Sequence, residues 1–201
     1  MHLSPRCECE RCRDPTEFSS YMSALRCSRC SGFKDGEGDL QNGDLQHLVS
    51  ENSLNSEASF GCEECNNSQK ASQIRTGNMT IANELKELDR SRLENLTGFL
   101  VKYQPILGPT NAHTVEIKYA IVMLLGNRRS YTLENLNQEQ LELKAALAKE
   151  LLELATKVEP GSTRWLTSTP APPAPGGVAS CCWSCRWPRW PWLQDWRTLG
   201  R

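Results

Sequence analysis

Cysteine spacing is the feature that most constrains what this chain can fold into. Ten of the 201 residues are cysteines, and most of them stand in groups. Two Cys-x-x-Cys pairs occur at Cys27/Cys30 and at Cys62/Cys65. Each pair has the spacing of a zinc knuckle, and two knuckles together supply the four sulfur ligands of a closed tetrahedral site. The sequence therefore predicts one Zn²⁺ site that joins two segments separated by residues 31–61.

A further group, Cys7-x-Cys9-x-x-Cys12, places three thiols close together near the N-terminus. Three soft sulfur ligands at this spacing also suit Zn²⁺, although no fourth ligand follows nearby and His2 is the nearest upstream candidate. Two plainer interpretations stay open. In one, the N-terminal group consists of reduced thiols without metal; in the other, the later Cys-x-x-Cys pair binds elsewhere or not at all.

Composition and charge limit the partners and the compartment. The formal net charge is -1, so the chain lacks the basic footprint expected for binding nucleic acid or an anionic membrane. No apolar run is long enough to predict a membrane span. Residues 1–12 do not read as a signal peptide. We therefore expect a cytoplasmic or nuclear protein with reduced thiols; a protein or peptide partner stays open, and the sequence does not indicate an oligomeric state.

Composition divides the chain into four zones. Residues 1–30 are rich in cysteine and charge, and residues 31–70 form a polar insertion that ends in the second knuckle. Residues 71–165 show helical periodicity, and residues 166–201 are rich in proline and then in tryptophan. The expected fold is mainly α. It combines a zinc-binding N-terminal region with a small antiparallel, helical-repeat-like domain and a disordered tail.

Apolar residues recur at helical spacing in the third zone. The first stripe consists of Ile81, Leu85 and Leu88. The pattern Ser91-x-x-Glu94 is typical of a capping box, which predicts that a second helix begins there and ends before Pro105. The residues expected to be buried in that helix are Leu93, Leu96, Leu100 and Tyr103.

Two more helices are expected downstream. The third spans about 112–125, and Gly126 is placed to adopt the left-handed conformation that closes it. Its inward residues are expected to be Val115, Tyr119, Val122 and Met123. The fourth helix spans about 136–158 and carries a stripe of Leu143, Leu147, Leu151, Leu154 and Val158.

Several motifs, taken in order, resemble one known family. The Cys7-x-Cys9-x-x-Cys12 group resembles the post-SET motif of SET-domain methyltransferases. Residues 13–30 are similar to the stretch that follows this motif in the arthropod SET-and-MYND (Msta-like) proteins, including the extra Cys-x-x-Cys knuckles. Residues 107–120 and 159–165 resemble two segments of the C-terminal helical domain of that family. The resemblance covers residues 7–165.

The resemblance implies protein-lysine methylation with S-adenosylmethionine in a full-length relative. It also implies that Cys7, Cys9 and Cys12 are three of the four post-SET zinc ligands, the fourth coming from an Asn-His-x-Cys stretch of the SET core. That stretch, the cofactor segment of the SET core and the MYND finger do not occur in residues 1–201. The expected function is therefore that of a zinc-binding methyltransferase fragment that is inactive alone, and no catalytic or cofactor-binding residue is nominated.

The sequence also allows two other functions, and its last residues form a separate tail. The alternative is a zinc-stabilised helical interaction module without catalysis. A ubiquitin-ligase-type zinc domain ranks last because the interleaved Cys/His series of such domains is missing. The resemblance ends at Trp165, and five of the six tryptophans lie within residues 183–196. Residues 166–201 are expected to be a disordered tail, or the product of a faulty gene model.

Overall fold

The chain is described by a computed structural model that covers residues 8–30 and 46–158. Cys7, residues 31–45 and the predicted tail lie outside the described residues. The elements in chain order are α1 (Glu10–Arg13), β1 (Leu25–Arg26), β2 (His47–Ser50), β3 (Phe60–Gly61), β4 (Ser68–Gln69), α2 (Ala71–Glu87), α3 (Leu93–Tyr103), α4 (Ala112–Leu124) and α5 (Gln138–Val158). Two short 3₁₀ turns, Arg129–Tyr131 and Leu133–Asn135, lie between α4 and α5.

A small antiparallel sheet precedes the long helices. Its four strands lie in the order β1-β2-β3-β4, with Leu25 opposite Leu48 and Gly61 opposite both Val49 and Ser68. The helical content of the mainly α expectation is confirmed, but the expectation missed this sheet, most of which falls in the polar zone 31–70. Strands of two to four residues are too short to show the alternation that reveals a strand in a sequence.

The outer edge of β1 is covered by the segment that follows α3. The Arg26 N–H donates to the Ile106 carbonyl at 2.8 Å, and the Arg26 guanidinium donates to the Gln104 carbonyl at 2.7 Å. Leu25 and Leu107 form an isolated antiparallel bridge beside them. These bonds fasten the sheet to the helical part of the chain.

The helix α2 begins earlier, and α3 begins later, than their sequence signals indicated. Ile74 joins Ile81 and Leu85 on the buried side of α2. The capping box predicted at Ser91 is wrong. The Ser91 N–H and hydroxyl both donate to the Asp89 carboxylate, and Arg92 stands at the N-cap of α3 instead. A short local hydrogen bond therefore competes successfully with the cap.

The inward face predicted for α4 is also wrong. Val115, Tyr119, Val122 and Met123 are only partly buried, whereas the buried apolar residues of α4 are Ile117, Ile121 and Leu124. The reason is that α4 packs against α2, α3 and α5, so more than one of its sides is covered and no single stripe marks the interior.

The glycine predicted to close α4 does so. Gly126 has φ of +96°, and a β-carbon there would lie 2.9 Å from Leu133, so both conformation and space favour glycine. The start of α4 is set by Asn111, whose side-chain oxygen accepts the His113 N–H at 3.0 Å. The Asn111 amide also donates to the Ala24 carbonyl at 2.9 Å, which ties the helix to the chain just before β1.

One apolar core runs through the described residues. Leu25 and Leu48 of the sheet belong to the same buried cluster as Leu85, Ile117 and Leu147 of the helices. Two of the cysteines in the knuckles, Cys27 and Cys62, are members of that cluster. The knuckles are therefore packed against the body of the protein.

Candidate metal centre

The structure brings the two Cys-x-x-Cys pairs together. The sulfurs of Cys27, Cys30, Cys62 and Cys65 all lie within 4.8 Å of one another. Contacts between the two pairs measure 3.5 Å from Cys27 to Cys65 and 3.6 Å from Cys30 to Cys62. This is the grouping that the spacing predicted.

Strand pairing positions both knuckles. Cys27 directly follows β1, and its N–H donates to the Gln46 carbonyl at 2.8 Å, which extends the pairing with β2. Cys62 directly follows β3, and its N–H donates to the Asn67 carbonyl at 2.9 Å, which extends the pairing with β4. Because β1 and β3 both pair antiparallel with β2, they run in the same direction, and the two knuckles that follow them lie at the same end of the sheet.

The surroundings of Cys27 favour the thiolate form of its side chain. Burial alone would raise its pKa, but hydrogen bonds from the Cys30 N–H, the Asn67 side chain and the Arg29 N–H outweigh burial and lower the pKa to about 6. The thiol of Cys30 behaves in the opposite way, since contact with the sulfur of Cys65 raises its pKa. Sulfurs packed this closely hold a proton unless a cation balances the charge of several thiolates.

The cluster fits the geometry of zinc. A Zn–S bond of about 2.3 Å in a tetrahedral site separates the sulfurs by about 3.8 Å. The contacts of 3.5 and 3.6 Å and the outer limit of 4.8 Å bracket that separation. Four thiolates would leave no open position for water or substrate, which is the pattern of a structural zinc site.

Two asparagines of the site were missed by sequence reasoning. The Asn67 side chain donates to the Cys27 sulfur at 3.6 Å, which is the kind of outer bond that orients a metal ligand. Asn66 has φ of +54° and turns the chain from the second knuckle into β4. An available signal was an asparagine directly after the second cysteine, because asparagine adopts positive φ more readily than most residues.

The N-terminal cysteine group is only partly described. Cys9 stands at the N-cap of α1, and Cys12 is a buried residue within that short helix. Cys7 lies outside the described residues. A zinc site formed by these three cysteines therefore stays a prediction.

A left-handed turn follows α1. The Asp14 carboxylate accepts the N–H groups of Thr16 at 2.9 Å and Phe18 at 2.6 Å. The non-glycine residues with positive φ in this turn are Glu17, Phe18, Ser19 and Tyr21. Each such residue carries a cost of about 1 kcal/mol, so the surrounding bonds must hold the turn in place. No glycine marks the turn in the sequence, which is why it was not predicted.

The left-handed turn forms one wall of a cleft of about 510 Å³. β2, the start of α4 and the C-terminal half of α5 supply the other walls. Its apolar lining includes Tyr21, Val49, Val115, Leu151 and Leu154. The charged lining consists of Glu63, Glu150, Glu153, Lys118 and Lys157.

The histidine of this cleft is held in an unusual environment. His47 stacks on Tyr21 with ring centroids 4.2 Å apart and planes 7° apart. Its Nε2 atom is buried and has no hydrogen-bond partner among the described residues. Burial, with a smaller effect from Arg26, lowers the pKa of His47. The imidazole is therefore neutral at physiological pH and takes part in packing.

Within the part of the chain that the structure describes, no helix has the length and apolar character that a membrane crossing requires. Comparison of the chain with protein families, with curated proteins and with solved structures gives no match.

Proposed function

We propose that this chain is a zinc-binding module in which one Zn²⁺ ion, held by Cys27, Cys30, Cys62 and Cys65, has a structural role. The observation that carries the proposal is the convergence of four sulfurs from two separate hairpin ends within 4.8 Å. The metal supplies order that the short strands cannot supply by themselves, because their pairing covers few residues and little apolar area.

Metal analysis of the reduced, purified full chain tests this role. We expect stoichiometric zinc by mass spectrometry, and we expect Cys62→Ser to lose one equivalent. Ser28→Ala, an exposed position inside the first knuckle, is the matched control and should keep the full zinc content. A wild-type chain that takes up no zinc after dialysis against the metal would contradict the proposal.

We further propose that the module belongs to a SET-and-MYND-type protein-lysine methyltransferase and is inactive alone. The support is the ordered series of motifs in residues 7–165, from the post-SET-like cysteines to the segment 159–165. In this reading Cys7, Cys9 and Cys12 contribute to a second zinc site, and S-adenosylmethionine is a cofactor only when a SET core is present.

Two measurements test the methyltransferase assignment. Calorimetric titration of this chain with S-adenosylmethionine should show no binding. Joining the chain to an upstream SET segment, identified by sequencing the transcript through the Asn-His-x-Cys stretch, should restore cofactor binding. Tight binding by the present chain would overturn the statement that it is inactive, and a transcript without a SET segment would overturn the assignment.

The cleft favours one alternative, a zinc-stabilised interaction module that binds a peptide. It combines apolar walls with both signs of charge, which is the composition of a site that accepts a short segment of another protein. Selection of displayed peptides against the zinc-loaded chain tests this. A peptide seated in the cleft should be lost in Val115→Glu and kept in Val101→Glu, since Val101 lies on α3 and is 70% exposed. Failure to select any peptide would count against this alternative.

A further inference from the structure

The helix α5 has two apolar faces, and residues 8–30 and 46–158 cover only one of them. On the covered face, Leu147 and Leu154 are buried. On another face, Leu141 and Leu152 remain 39% and 49% exposed. Because leucine side chains gain stability from burial, an exposed pair on one helix indicates a surface made for contact.

Two exposed alanines complete this second face. Ala145 and Ala148 lie between Leu141 and Leu152, and the four residues are spaced by four, three and four positions. That spacing is the repeat of residues at a coiled-coil seam, which keeps one stripe of a helix against a partner helix. We call these four residues the outer stripe of α5.

The outer stripe has the same order of residue types and the same spacing from either end of the helix. In an antiparallel pair of α5 helices, Leu141 of one copy therefore lies opposite Leu152 of the other, and Ala145 lies opposite Ala148. A two-fold axis between the two alanines makes the surface complementary to itself, as a symmetric dimer requires. The alanines let the helix axes approach closely at the centre, and the leucines fill the wider ends.

The charges beside the outer stripe agree with this pairing. Glu142 and Lys149 are both exposed and lie seven residues apart, on the same flank of the stripe. In the antiparallel pair this flank faces its own copy, so each Glu142 comes within side-chain reach of Lys149 on the other chain. Opposite charges on the flanks of a helix pair select the partner and its orientation. In a parallel pair this flank would instead face the opposite flank of the other helix, and Glu142 would not meet Lys149.

We propose that two copies of this chain associate through the outer stripes of their α5 helices, antiparallel and about a two-fold axis. The inference does not depend on zinc or on methyltransferase chemistry. One helix face of this length is smaller than a standard protein interface, so the dimer is expected to be weak and to dissociate in the micromolar range.

Sedimentation velocity of the full, reduced chain over a range of concentrations tests the dimer. We expect reversible association in the wild type and at least about ten-fold weaker association in Leu152→Glu, because a buried charge opposes a contact between leucines. Val101→Glu is the matched control, since it adds the same charge at an exposed apolar residue of α3 and should leave association unchanged.

Charge exchange tests the orientation. Glu142→Lys and Lys149→Glu should each weaken association, and the double variant should restore it because the opposite charges then face each other again. A zero-length carboxylate-to-amine cross-linker should join Glu142 to Lys149 between chains. A chain that stays monomeric at all concentrations, or a dimer unaffected by Leu152→Glu, would overturn the proposal. So would a monomer in which Asp195 becomes cross-linked to Lys149 of the same chain, beside the outer stripe.

Discussion

The sheet region and the helical region of this protein achieve order in different ways. The strands, all within residues 25–69, are two to four residues long, and the four sulfurs lie where two of them end. The helices α2–α5 are longer, and Leu96, Ile117, Ile121 and Leu125 in this region are fully buried. From this difference we expect the first region to depend on the proposed metal ligation and the second to depend on apolar burial.

Metal removal should give the largest loss of order, and it should affect the sheet region but not the helical region. In strong chelator under reducing conditions, we expect backbone amides of β1–β4 to lose protection from hydrogen exchange while those of α3–α5 stay protected. The reason is that loss of the Zn–S bonds removes the link between the two knuckles but leaves the apolar core of the helices in place. Equal loss of protection in both regions would show that the helices also require the metal.

Truncation of a buried residue of α4 should destabilise the helical region more than the sheet region. Ile121 is 0% exposed in the centre of the helical region, and Ile121→Ala should lower the free energy of unfolding by about 3 kcal/mol. Denaturant titration measures the change. Val101→Ala at an exposed position should shift the stability by less than about 0.5 kcal/mol, and a similar loss in both variants would contradict the assigned core.

Replacement of Asn111 tests the joint between the two regions. Asn111 is 2% exposed, caps α4 and donates to the Ala24 carbonyl, so Asn111→Ala removes both a cap and a buried bond. We expect a loss of about 2 kcal/mol, with increased exchange at β1 as well as at α4. The matched change Asn127→Ala, at an exposed asparagine, should cost less than half as much.

Relief of strain in the left-handed turn should give the smallest change in stability, and this change should be a gain. Ser19 has φ of +57°, so Ser19→Gly relieves strain and should raise the free energy of unfolding by about 0.5 to 1 kcal/mol. Ser19→Ala keeps the β-carbon and should leave stability nearly unchanged. A thermal melt that shows no difference between the two variants would mean that the turn adjusts without cost.

The metal centre was the most predictable part of the protein. The spacing of Cys27, Cys30, Cys62 and Cys65 was enough, because sulfur ligands on two short turns have few other uses in a reduced protein. The supporting bond from Asn67 was not predictable, since it depends on the strand register that places this side chain beside Cys27.

The four long helices α2–α5 were predictable in approximate extent, but the short helix α1 and the environments of the long helices were not. Periodicity identified α5 and its buried Leu147 and Leu154. It failed for α4, where several neighbouring helices cover different sides and the buried set includes Ile117 and Ile121. Helix boundaries depended on local bonds such as the one from Ser91 to Asp89, which competed with the expected cap.

The covered edge of β1 has a consequence for the behaviour of the protein in concentrated solution. An open sheet edge is a template on which strands of other molecules can add, and it is a common origin of fibrous aggregates. Here the Arg26 N–H is already bonded to the Ile106 carbonyl, so that side of the sheet offers no such template. Addition of a strand from another molecule is therefore blocked at β1.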